Sequence, residues 1–214
     1  MERNNQTTKW LSGLFFLSLL GFALGVIKEF TINDNWASWV QKAISAGIVV
    51  CLYCLRTMQK NYRFSALCRA VTLLLSLGVL LVGTFLLPIL TAAERTDELA
   101  IISLFSACLS VVISVFSILG AWLEMRAHGL LVSQEEPALA AKWRKLFLWQ
   151  LAFSLLYSIG TSVTTALLMS FQWDVATVAP VWTILQLPVK IVRILYLYYL
   201  YKTIRIARRQ GEEE

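Results

Sequence analysis

An all-α integral membrane protein of six transmembrane helices is what this sequence predicts, on three observations. Of 214 residues, 58% are hydrophobic and 15% charged, whereas soluble domains carry about 25% charged residues, and the mean hydropathy is +0.67. Six apolar runs, near residues 10–27, 37–55, 70–91, 100–123, 146–171 and 180–201, fill most of the chain. Each is close to the roughly 20 residues that cross a bilayer. The basic residues, finally, alternate by side. Fourteen of the nineteen Lys and Arg fall in the N-terminal segment, the 56–69 and 124–145 connections and the C-terminal tail; Lys28 and Arg95 fall in the other connections, and Lys42, Lys190 and Arg193 within spans. The positive-inside rule then predicts cytoplasmic N and C termini (N-in, C-in) and three helical hairpins. Residues 1–214 form one polytopic membrane domain, expected in the cytoplasmic (plasma) membrane.

The first span follows a polar, basic start. With the small-x-small triplet Ala23-Leu24-Gly25 it also has the form of a secretory leader. The apolar run continues through Val26 and Ile27, however, and Gly21 and Gly25 stand in GxxxG spacing, so it is read as a transmembrane helix with a close-packing face. Asn33-Asp34-Asn35 reads as a turn. Trp36 and Trp39 mark an interface, and Lys42, near the outer end of the second span, is expected to snorkel to water. Pro88 is expected to kink the third span. The connection at 93–99 is acidic.

After the fourth span a longer loop runs from Glu124 to Lys145 and contains His128. Within it Ser133-Gln134-Glu135-Glu136 has the form of a capping box, which would start a non-membranous helix over Pro137–Trp143. The fifth span ends at a polar turn around Asp174. The sixth closes with Tyr196, Tyr198, Tyr199 and Tyr201, then Lys202, Arg205, Arg208 and Arg209: an aromatic belt followed by a cationic tail. All eight tryptophans fall at or close to span ends. The segments 52–56 and 122–126 match in pattern 70 positions apart, as a worn internal repeat would, and as any two helix ends with an interfacial aromatic and a cation would.

The net charge of +6 is explained by topology and not by a basic patch with interleaved aromatics, so no nucleic acid is expected as a partner. Cys51, Cys54, Cys68 and Cys108 lie in or beside apolar segments and are read as reduced. Cys51-Leu-Tyr-Cys54 lacks a second ligand pair, and reads as two small buried hydrophobes. A single histidine and no acid pair at mid-span leave no catalytic, metal or cofactor site to expect.

Hydroxyls and cations form the patterns with functional content. Ser103, Ser106, Ser110, Ser114 and Ser117 line one face of the fourth span, and Ser154, Ser158, Thr161 and Thr165 one face of the fifth. Such stripes serve either as helix–helix seams or as a polar wall along a solute path. On the sixth span Gln186, Lys190 and Arg193 share a face, with Lys190 near the bilayer midplane, where a charge costs about 2.5–3.5 kcal/mol on translocon scales. Arg193 sits closer to the cytoplasmic side, within reach of headgroups or Glu124. Lys190 must be deprotonated, solvated, bonded to hydroxyls and carbonyls, or paired with an external anion, and Pro188 frees a carbonyl nearby.

The expected function is therefore a small-solute transporter or substrate-binding membrane subunit. Its ligand site for an anionic or zwitterionic small molecule would comprise Lys190, Arg193, Gln186, Ser110, Ser114 and Thr161. A partner subunit would dock at the cytoplasmic loops. The alternative is a non-transporting accessory or interaction protein whose cations contact lipid headgroups.

Overall fold

The computed structural model describes residues 2–28, 35–93, 95–171 and 175–212. The described residues are almost entirely helical, with no strand among them. Among the described residues six helices are long and apolar enough to cross a membrane: Gln6–Lys28, Trp36–Thr57, Lys60–Ala92, Asp97–Val132, Pro137–Thr164 and Pro180–Arg209. Packing groups the chain into two compact units, Met1–Ala127 and His128–Glu214.

In the first unit, α1 (Glu2–Lys28) and α2 (Asn35–Cys54) form an antiparallel hairpin. Its seam joins Leu24, Ala37 and Ile44, with Leu17 and Ile48 packed on them. Gly47 makes the close approach possible, because a Cβ there would fall 2.8 Å from Leu17 Cδ1. Of the GxxxG pair expected on α1, Gly21 does meet α2, at Ile44. A short 3₁₀ turn, Leu55–Thr57, leads to α3 (Lys60–Leu81), which packs back on α2. A π-helical turn, Val82–Leu86, then connects to α4 (Leu87–Ala92). The Leu87 amide donates to the Val82 carbonyl, a wide i to i−5 bond. This is how Pro88 is accommodated: it brings no N–H and its ring crowds the carbonyl four residues back, which a π-turn moves aside. The remaining helix is α5 (Thr96–Val132), whose last residues belong to the second unit.

The second unit is built on α6 (Pro137–Phe171) and α7 (Val175–Glu212), an antiparallel hairpin. At the end where α6 begins and α7 finishes, Leu139, Trp143, Leu146, Leu200, Thr203, Ile204 and Ala207 are buried. Trp143 Nε1 donates to Thr203 Oγ1 at 3.2 Å, and Thr203 in turn donates to the Tyr199 carbonyl at 2.9 Å. The four tyrosines of α7 divide by helical period. Tyr196 and Tyr199 turn inward, their rings edge-on to Trp143 at 5.6 and 5.8 Å, whereas Tyr198 and Tyr201 stand exposed beneath Lys202 and Arg205.

Several expected boundaries are corrected. The third helix starts at Lys60 and not near residue 70, so Arg63 and Arg69 are helical. The loop expected from Glu124 to Lys145 shrinks to residues 133–136, because α5 runs through Glu124 and Arg126 to Val132 and α6 begins at Pro137. The supposed capping box does not cap: Ser133 closes α5, its amide and hydroxyl both donating to the Leu130 carbonyl. Glu136 precedes α6 instead, its carbonyl accepting from the Leu139 and Ala140 amides, with Pro137 at the first helical position, where no N–H is needed. His128 is not in a loop. It lies on α5 with 0% exposure, stacked on Trp143 at 4.7 Å. Trp143, near the start of its candidate span, is likewise buried. The turns expected at Asn33-Asp34 and Asp174 lie outside the described residues.

Candidate functional site

Wherever a buried seam closes on one face of α2, the opposite face is left for something else. Ala37, Ile44 and Cys51 repeat at helical spacing and turn toward α1, Ile48 borders both sides, and Lys42 and Ser45 fall on another face, toward α3. There α3 presents Arg69, Thr72, Leu73 and Ser76, and α5 presents Ile113 and Ser117. Together with Ile48 these residues line a cavity of about 200 Å³ inside the first unit. Four of its lining side chains are hydroxyls, two are cations, and none is acidic.

Lys42 is the group that the cavity organises. Its Nζ donates to Ser76 Oγ at 2.6 Å, and the Ser76 hydroxyl in turn donates to the Leu73 carbonyl at 3.0 Å. Where Lys42 was expected to snorkel to water, its half-buried side chain reaches across to α3, about 10 Å along α2 from its first residue at 1.5 Å per residue. An ammonium has three donors, and Ser76 takes one of them. Ser45 and Thr72 donate to the carbonyls of Gln41 and Cys68, at 2.8 and 2.9 Å, so their lone pairs remain available.

Arg69 forms one wall and is held from behind. Its guanidinium forms an ion pair with Glu124, in which Nε donates to Oε2 at 2.8 Å and Nη2 approaches the same oxygen. Glu124 is 1% exposed and Arg69 33%. The pair is supported by the meeting of α3 and α5. Ser65, fully buried, donates to the Gly120 carbonyl at 2.8 Å, and a Cβ on Gly120 would lie 3.3 Å from both Arg69 Cγ and Cys68 Cβ.

The residues expected to form the site are distributed as follows. On α5, Ser110 and Ser114 are exposed, each donating to the carbonyl four residues earlier at 2.8 Å, so they do not form a buried seam; Ser117 of the same stripe lines the cavity. The side chains of Ser103 and Thr165 lie outside the described residues. In the second unit Gln186 Nε2 is 3.4 Å from Tyr157 Oη, and Thr161 donates to the Tyr157 carbonyl at 2.9 Å. These two are brought to one hairpin with Lys190, which is half-buried, and Arg193, which is exposed.

Lys42, Arg69, Thr72, Ser76 and Glu124 were not among the expected site residues. For all but Glu124 a signal was present as spacing: Lys42 and Ser45 three apart on one helix, and Arg69, Thr72 and Ser76 at intervals of three and four on the next. No known family, curated protein or solved structure matches the chain.

Proposed function

We propose that this is a multi-pass protein of the cytoplasmic membrane that binds a small anionic or zwitterionic solute in the cavity beside Lys42, as a transporter or as the substrate-binding subunit of one. It acts without enzymatic chemistry. Insertion is supported by six long apolar helices and by their uncovered flanks, such as Leu104 at 69% exposure; surface of that kind marks contact with lipid or protein. The N-in, C-in orientation rests on the distribution of Lys and Arg.

The observation that carries the solute reading is the inward ammonium of Lys42 on a cavity with hydroxyl walls and no carboxylate among its lining residues. A cation within a span is expensive unless it is paired, and an entering anion would complete its coordination. The cavity, of about 200 Å³, has room for a small organic acid. Energy would come from an ion gradient or from a partner subunit docked on the basic helix ends, since the chain has no nucleotide-binding motif.

A second reading is favoured by the exposure of Arg193: an accessory protein whose cations meet lipid headgroups. Uptake of labelled lactate into liposomes containing the purified protein, beside binding to the same protein in detergent, separates the readings. A transporter binds and takes up the label, a binding subunit binds without uptake, and an accessory protein does neither.

A further inference from the structure

Arg69 belongs to two structures at once, the cavity wall and the buried ion pair with Glu124, and that double membership has a chemical consequence. Lys42 and Arg69 are the cations of the lining, and one carboxylate outside it is already committed to Arg69. We infer that Glu124 sets the charge of the solute: by holding Arg69 it leaves the cavity with one net positive charge, so that monoanions are accepted and dianions rejected. The inference rests on the cavity reading above and narrows it.

Three features favour this assignment over a merely structural ion pair. Glu124 lies behind Arg69, nearly inaccessible, so it contributes charge without occupying ligand space. The stem of Arg69 runs beside Gly120, where an added Cβ would lie 3.3 Å from its Cγ, and its head is held on one carboxylate oxygen, so the ion pair opposes its turning into the cavity while Glu124 stays ionised. The remaining walls are Ser45, Thr72, Ser76 and Ser117, neutral groups that supply oxygen and hydroxyl contacts but no countercharge. In a low-dielectric setting an uncompensated second charge on a ligand carries a large penalty. A zwitterion fares worse than a simple anion too, because its ammonium would meet only hydroxyl oxygens.

Glu124 is a positioning residue here, acting through Arg69, and its signature is selectivity and not affinity alone. Lactate and malonate, near neutral pH, serve as the monoanionic and dianionic probes, with binding to detergent-solubilised protein measured by calorimetry. Wild type is expected to prefer lactate by about tenfold or more, a difference of about 1.4 kcal/mol. Glu124→Gln keeps shape but removes the negative charge, and should shift the preference toward malonate by at least a similar factor. Because loss of a buried partner can unfold a protein, the double variant Arg69→Gln/Glu124→Gln is measured beside it; it restores a single net positive charge and should prefer lactate again, more weakly. A folded Glu124→Gln protein with the wild-type ratio, or a double variant that favours malonate, overturns the inference while leaving the cavity reading standing. Binding of neither anion by the wild-type protein overturns the cavity reading and this inference with it.

Discussion

Gly120 and Ser114 lie less than two turns apart on α5 and are both small, yet they do opposite things. Gly120 marks the place where α3 meets α5, with Arg69 and Cys68 within 3.3 Å of any Cβ. Ser114 is exposed and satisfied by its own helix. Ser114→Leu, and Ser110→Leu with it, should therefore leave thermal stability close to that of the Ala variants. Gly120→Leu should destabilise the first unit by about 1–3 kcal/mol or more through overpacking, which near the midpoint of a chain this size is a shift of several degrees at roughly 2–4 °C per kcal/mol. A melting curve in detergent checks both, and a destabilised Ser114→Leu protein would show that its face is covered. The stripe of serines was legible from spacing, but which of them faces a cavity was not. That depends on how α5 is rotated against α3, and nothing within α5 alone sets the rotation.

Lys42 shows the same limit at the level of the element. Its position within an apolar run was plain, and its depth suggested a cation that escapes to water. The direction it takes is decided by the other face of α2, where Gly47 and Ile44 lock onto Leu17 and Gly21 of α1 and leave Lys42 and Ser45 toward α3. Six helices of the right kind were readable because apolar runs of bilayer length are a strong signal. Their ends were not, because charge was taken as the mark of a loop. Between Lys60 and Ala70 there is no Gly or Pro to stop a helix, and α3 includes Arg63 and Arg69. Likewise α5 is 37 residues long, about 55 Å at 1.5 Å per residue, against a hydrocarbon core of about 30 Å. Helices longer than a bilayer core can carry charges on their faces, as α3 and α5 do where Arg69 and Glu124 meet.

Within each unit, at molecular scale, the ends rich in Lys and Arg carry buried side chains: Leu52, Leu55, Tyr62 and Ala66 in the first, Leu139, Trp143, Leu200 and Ile204 in the second. In lipid there is no hydrophobic force between helices, whereas at helix ends that emerge into water, burying one such side chain is worth about 1.5–3 kcal/mol. If those ends are cytoplasmic, single cysteines placed at Asn33, Thr96 or Asp174 in a background without the four native ones should react with an impermeant thiol reagent added outside intact cells. Cysteines at Asn61 or Gln134 should not, and labelling of Asn61 in sealed cells would reverse the orientation.

The central claim is that the solute site is the cavity beside Lys42, and its competitor within the same chain is the α7 face of Gln186, Lys190 and Arg193. Lys42→Met and Lys190→Met remove one ammonium each at nearly unchanged stem length, so calorimetric titration of lactate into the wild type and both variants compares the sites directly. The account predicts that Lys42→Met stays folded and loses binding by about tenfold or more, while Lys190→Met binds as the wild type does. Loss of binding in Lys190→Met with Lys42→Met unaffected would contradict it, and would place the ligand on α7.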